Sequence, residues 1–407
     1  MRAGGNTWSI GLSCFVIVFW ASAAGVLYTY FGYPLLLGGI AGLHQWRSDW
    51  RFVSGAGSRR AAQRTPTTLP RVAVIVAAFN EERDIADRVR NLLAQDYPAD
   101  RLRIFIGSDG SSDRTAAIVR EIGHPAVHLA DFTQNRGKAS VLNDLVALAD
   151  EDILVLTDAN TVFKNDAVRT LVRHFDDPDV GCVCGELRLV RAGDTGDNQD
   201  HVYWRYERML KYHESRIGGL LGANGGVYAL RRNDYAAVPA NTIVDDFWIS
   251  MQVVERGLRC VYDPEAIATE AVPEHISDEF GRRVRIGTGN YQSLVRFVGL
   301  LNPARGVAVA FTFFSHKVLR WLAPHLMVLA LASGAILAAR PLYAGMLAVQ
   351  LVFYALSWIG WRLARSGNAP KVLRLPLFFT SMNIGLLVGF YRFTKGAGSG
   401  AWTRTAR

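Results

Sequence analysis

No Asp, Glu, Lys or Arg stands between Arg2 and Arg47, and that stretch constrains the chain more than any other feature. It exceeds the roughly 20 residues that a helix needs to cross a bilayer. A cleaved signal peptide has a shorter apolar region ending at a small-residue site, whereas here the apolar run continues past Pro34 into Leu36 and Leu37. We read it as a retained anchor, one long span, with a tight hairpin around residues 32–34 as the alternative. Three further charge-free runs follow, at residues 321–339, 341–361 and 375–391. Residues 307–314, between Arg305 and Lys317, are too short to cross and are expected to form a helix lying in the interface.

The formal charge of +9 first suggests nucleic acid, but the distribution of the basic residues excludes it. They gather beside apolar segments, at Arg47, Arg51, Arg59, Arg60 and Arg64 and again over residues 362–374. That placement suits an anionic membrane surface, and the positive-inside tendency puts the centre of the chain in the cytoplasm. A strict count then leaves the tail, with Lys395, Arg404 and Arg407, outside, unless the last run is tilted or re-entrant. Cys14, Cys182, Cys184 and Cys260 lack the paired spacing of a zinc site and are expected as buried thiols.

Between residues 71 and 300 short apolar runs alternate with helical periodicity, the signature of an α/β domain with a mainly parallel sheet. Residues 72–78, 102–106 and 153–157 read as strands, and Ile85, Val89, Leu92 and Leu93 recur at helical spacing. The organisation is therefore an anchor over 1–46, a basic cytoplasmic linker over 47–70, the α/β domain over 71–300, and an interfacial helix with a C-terminal transmembrane region over 301–407.

In such a domain the loops at the carboxyl ends of the strands carry the chemistry. Phe79-Asn80-Glu81-Glu82 follows the first strand, where an Asn with two acids after it also reads as helix capping. Ser108-Asp109-Gly110-Ser111-Ser112-Asp113 follows the second, and Asp-Gly and Ser-Asp pairs also make ordinary turns. Thr157-Asp158-Ala159-Asn160 puts a carboxylate and an amide carbonyl where a hard divalent cation would take them as ligands. Asp245-Asp246 opens a helix, as caps or as a general base for a hydroxyl. Tyr203, Trp204 and Trp248 are candidates for stacking on a ligand, although aromatics in such segments more often fill cores.

Taken in order, these segments resemble the family 2 inverting glycosyltransferases, in particular the membrane-bound synthases of hyaluronan, cellulose and poly-N-acetylglucosamine. The resemblance runs from Val74-Ile75-Val76-Ala77-Ala78-Phe79-Asn80-Glu81 through Asp109-Gly110-Ser111-Ser112-Asp113, Asn135-Arg136-Gly137-Lys138-Ala139 and Asp158-Ala159-Asn160. It continues through Gly222-Ala223-Asn224-Gly225-Gly226 and Asp245-Asp246 to Arg282-Arg283-Val284-Arg285.

The resemblance implies a GT-A fold that binds a nucleotide diphosphate sugar, with a UDP-sugar expected, through Ala78, Asn80, Glu81, Asp109 and Gly110, with Asp109 near the base. It implies Mg²⁺ or Mn²⁺ on Asp158 and Asn160, Lys138 and Arg285 on the diphosphate, and Asn224, Gly225 and Asp245 toward the acceptor. Asp246 matches the catalytic base. A saccharide or lipid-linked acceptor and membrane lipids are the implied partners, with no nucleic acid, and a bacterial inner membrane is the implied location; any export or assembly partner is unknown.

Two positions depart from the family pattern. Asn160 stands where a second metal-binding aspartate is usual, and Arg282 to Ile286 lacks the Gln and Trp of the processive Gln-x-x-Arg-Trp signature. Single addition to a lipid carrier and a catalytically silent binding subunit are therefore the competing readings. A dinucleotide oxidoreductase is excluded because Ala77-Ala78-Phe79-Asn80 follows the first strand in place of Gly-x-Gly-x-x-Gly. An ion transporter fits poorly, since none of the four apolar runs has an interior ionised residue apart from His325.

Overall fold

The computed structural model describes residues 5–55, 69–190, 200–271, 276–365 and 370–396; Arg59, Arg60, Arg64, Arg404 and Arg407 lie outside them. Helix α1 (Gly5–Leu27) passes through one π-helical turn, Tyr28–Gly32, into α2 (Tyr33–Val53). The hairpin alternative is therefore not what forms. Pro34 has no N–H to donate to the preceding turn, and a π-helical turn placed just before it accommodates the missing bond without reversing the chain.

The α/β domain follows as β1 (Val72–Ala78), α3 (Ile85–Leu93), β2 (Leu102–Asp109), α4 (Thr115–Ile122), β3 (Val127–Phe132), α5 (Lys138–Leu148) and β4 (Ile153–Asp158). It continues with β5 (Thr161–Phe163), α6 (Ala167–Val172), β6 (Val180–Val190), α7 (Asp200–Arg216), β7 (Tyr228–Arg231), α8 (Asp245–Glu255) and β8 (Arg259–Ala271). The sheet order is β3-β2-β1-β4-β7-β6-β8-β5. The half from β3 to β4 is parallel and β6 pairs parallel with β8, while β7 pairs antiparallel with both β4 and β6, and β5 with β8. The sheet is thus mixed, with a parallel half.

Every residue of β1 is buried, as expected of a central strand covered on both faces. Val72, Val74, Val76 and Ala78 join Ile85, Val89 and Leu92 of α3 and Val168 and Leu171 of α6 in one core. On the α5 side Gly107 lets that helix close in, since a Cβ there would stand 2.3 Å from Val141. Cys182, Cys184 and Cys260 are buried free thiols as expected, but Cys14 is exposed on α1.

Beyond the domain come α9 (Ile276–Arg296), α10 (Val307–Thr312), α11 (Leu319–Ile336), α12 (Pro341–Arg365) and α13 (Lys371–Thr394). Residues 307–312 are not a separate interfacial helix. They run through a π-helical turn, Phe313–Val318, into α11, and the buried Thr312 hydroxyl donates to the Gly219 carbonyl at 2.7 Å. α13 is one continuous helix of 24 residues rather than a re-entrant segment. Among the described residues four helical segments are long and apolar enough to cross a membrane: Leu12–Val53, Val307–Ile336, Pro341–Arg365 and Lys371–Thr394.

The chain divides into two compact units, one of residues up to Leu36 with Glu279–Tyr291 and Phe314–Gly396, the other of Leu37–Asp278 with Gln292–Phe313. Within the first, Phe19 packs edge-on to Tyr343 at 5.1 Å. Gly389 lets α9 and α13 touch backbone to backbone, since a Cβ there would stand 2.7 Å from the Gly287 carbonyl carbon.

Candidate active site

Parallel pairing sets Ala77 of β1 beside Asp158 of β4, and Ala78 beside Ser108 of β2, so three strand ends share one edge of the sheet. β7 runs the other way, with Tyr228 beside Leu156. The loop of residues 222–226 that precedes it therefore arrives at the same edge.

A compact charged cluster forms there. Lys138, the first residue of α5, puts Nζ 2.7 Å from Asp158 Oδ1 and 3.1 Å from Asp245 Oδ2. Burial opposes the ammonium charge, but the charges of Asp158, Asp245 and Asp246 outweigh it and push the Lys138 pKa up. Asp246 follows in the first turn of α8, and its Oδ1 accepts the Phe247 backbone N–H at 2.7 Å. Its Oδ2 is left toward Gly225, where an added Cβ would stand 3.0 Å away. Burial, and next the charge of Asp245, push the Asp246 carboxyl up to about 6. That is the range in which a carboxylate serves as a general base near neutral pH.

Asn80 and Asp109 build the neighbouring wall. Asn80 is not a helix cap: α3 begins at Ile85, and the Asn80 Oδ1 instead accepts the Ser112 backbone N–H at 2.8 Å. Its own N–H donates to Ser111 Oγ at 3.1 Å, and the N–H of Glu81 donates to Thr115 Oγ1 at 2.8 Å. Asn80 takes φ +56°, the left-handed region that Asn tolerates better than most residues. An Asn80→Ala variant is expected to lose about 1–2 kcal/mol of stability in a melting experiment, from the lost bond and the strained backbone, with Asn80→Gly recovering the backbone part.

Asp109, which the resemblance places near the nucleotide base, is 0% exposed. It accepts the backbone N–H groups of Arg136 and Gly137, each at 2.9 Å. It thereby clamps the loop that presents Lys138. Gly110 makes the approach possible: φ is +68°, and a Cβ would collide with the Asn135 nitrogen at 2.6 Å.

Asn224 is tied into the fold rather than held open. Its Nδ2 donates to the Gly185 carbonyl at 2.9 Å, its backbone N–H meets Cys184 Sγ at 3.3 Å, and Lys211 of α7 donates to its Oδ1. Lys211 carried no sequence signal, because a lysine on a polar helix reads as solvated. Trp248 packs edge-on to Phe297 at 5.4 Å and is nearly buried, which is the core reading of that ring. The side chain of Tyr203 lies outside the described ones, and Trp204 is half-buried on α7. Arg285 is exposed on α9, in the helical unit.

The residues suit a hard divalent cation in chemistry. Asp158 and Asp245 supply carboxylate oxygens, and Asn160 spends its Nδ2 on Glu270 Oε1 at 3.2 Å, keeping its carbonyl oxygen for a ligand. Three carboxylates around one ammonium also leave the cluster net negative. Among the described residues, however, no group of three or more His, Cys, Asp or Glu side chains is already arranged as a metal site.

Residues 73–237 match the family model described as glycosyl transferase family 2. The chain carries a family 2 glycosyltransferase domain. The chain is 29% identical over 232 residues to the poly-beta-1,6-N-acetyl-D-glucosamine synthase of Staphylococcus aureus (strain COL), and 28% identical over 232 residues to that of Staphylococcus epidermidis. Each match covers 55% of this chain and 56% of the relative, so the chain spans just over half the length of the curated relatives it matches. It also resembles a solved structure, mannosyltransferase PcManGT from Pyrobaculum calidifontis in complex with GDP-Man and Mn²⁺. There the TM-score is 0.67 and the identity 25%, over 92% of this chain and 98% of that one.

Proposed function

We propose that this glycosyltransferase moves a sugar from a nucleotide diphosphate donor, at the cytoplasmic face of a cell membrane, to a growing saccharide or lipid-linked acceptor, with inversion. The observation that carries the reading is the cluster of Asp158, Lys138, Asp245 and Asp246 at the carboxyl edge of the sheet. The acceptor oxygen attacks the anomeric carbon as the bond from that carbon to the diphosphate oxygen breaks on the opposite face. Asp246 Oδ2 takes the acceptor hydroxyl proton. Gly225 keeps that side of the carboxylate clear of side chains, and Lys138 supplies a positive charge beside the leaving diphosphate. A divalent cation on Asp158 and Asn160 would neutralise further charge on the leaving group.

Two acceptor classes are compatible with this chemistry, and each has support. Polymer synthesis is supported by the likeness to the staphylococcal synthases. Single addition to a lipid carrier is supported by the missing Gln and Trp of the processive signature. Release of nucleoside diphosphate from detergent-purified protein, across UDP- and GDP-sugars with Mg²⁺ or Mn²⁺, tests the reading. Turnover with one sugar is expected, and silence across the panel in folded, lipid-supplied protein would sink it. The product then decides between the classes, because a ladder of oligosaccharides excludes single addition.

A further inference from the structure

We infer that Lys138 is a resident counter-ion that keeps a divalent cation off Asp158 until a nucleoside diphosphate arrives, so that metal and sugar donor enter as a pair. This deepens the donor-site reading above and rests on it. The Lys138 side chain is 19% exposed, and its Nζ touches oxygens of Asp158 and Asp245 at 2.7 and 3.1 Å. A divalent cation needs carboxylate oxygen at roughly 2.0–2.6 Å, on the same group that the ammonium already holds. Two cationic centres on one half-buried carboxylate repel strongly where water screens them little.

The local donor set favours the lysine. Asn160 brings no charge where a second acid would help the metal, since its free group is a neutral amide oxygen. Asp245, the other carboxylate in reach, is also held by Lys138. A free cation must therefore displace an ammonium that the chain tethers in place at high effective concentration. A diphosphate changes this balance because it brings anionic oxygens for both cations. Lys138 then turns to the phosphates and Asp158 is released to the metal.

The test is Mn²⁺ binding to the full-length, detergent-purified protein, followed by loss of the free-ion EPR signal, with and without UDP or GDP. Nucleotide binding is measured separately by equilibrium dialysis. Wild type is expected to bind Mn²⁺ at least about tenfold more tightly with the accepted nucleotide than without it. Lys138→Met is expected to bind Mn²⁺ alone about tenfold more tightly than wild type does, so that the nucleotide effect shrinks. Lys138→Gln carries the same expectation if the Met variant does not fold. Equal affinity of wild type and a folded variant for Mn²⁺ alone overturns the proposal while leaving the donor site standing, as does wild-type Mn²⁺ affinity that ignores the nucleotide. Failure to bind either nucleotide, with or without Mn²⁺, overturns the donor-site reading and the proposal together.

Discussion

An Asp246→Asn variant is expected to bind the nucleotide sugar as wild type does and to turn it over about 10²–10⁴-fold more slowly, the usual contribution of a positioned general base. Wild-type kcat/KM should rise with pH through about 6, where the buried carboxyl loses its proton, and level off above; the variant should lack that limb. Stability should move the other way. The carboxyl titrates near 3.8 when unfolded and near 6 when folded, so between those values the folded chain holds a proton that the unfolded chain has lost. Its contribution to stability therefore falls as pH rises through that window and stays reduced above it. Asn carries no charge at any pH, so the variant should melt at or above the wild-type temperature at neutral pH. Loss of activity together with a lower melting point would point instead to a structural role for Asp246.

Asp109→Asn should be costly to the fold. One oxygen that now accepts a buried backbone N–H, from Arg136 or Gly137, becomes an NH₂ group facing that donor. Leaving buried donors unpaired at a charged acceptor's site costs about 2–4 kcal/mol. The loop ahead of Lys138 loosens with it, so turnover should fall as well. Thermal melting with and without nucleotide checks the assignment: a clamp destabilises the protein in both conditions, whereas a contact to the nucleotide base would change only the ligand-dependent part.

The long N-terminal apolar helix and the central strands were legible because their signals are local. A charge-free stretch long enough to cross a bilayer needs no partner to identify it, and β1 forms over 72–78 as its unbroken apolar run indicates. β2 runs on to Asp109, past the expected end at Ile106, because Gly107 and Ser108 keep pairing with both β1 and β3, and Asp109 with β3, despite their turn-forming character. The capping reading of Asn80 failed for the same kind of reason. Its amide finds Ser112, a residue from another loop, before any helix begins. Residues 307–314 looked too short to cross because Lys317 appeared to end the run, yet the helix continues past it into α11.

The sequence by itself determined the chemistry available: a long apolar N-terminal stretch, acids at strand ends, a lysine at a helix start and two adjacent aspartates at the start of α8. These are properties of composition and near-neighbour spacing, and near-neighbour spacing fixes which elements form. Tertiary structure alone decided which of these groups meet. The reversal of β7 against β4 brings residues 222–226 to the end of β4. Lys138 joins Asp158 to Asp245, a pairing between segments far apart in the chain. Asp109, equal to the other acids on paper, is buried against two backbone amides, while Asp246 is pushed toward neutral pH beside Asp245. Burial and the field of neighbouring charges set what a carboxylate can do, and both exist only once the chain has folded.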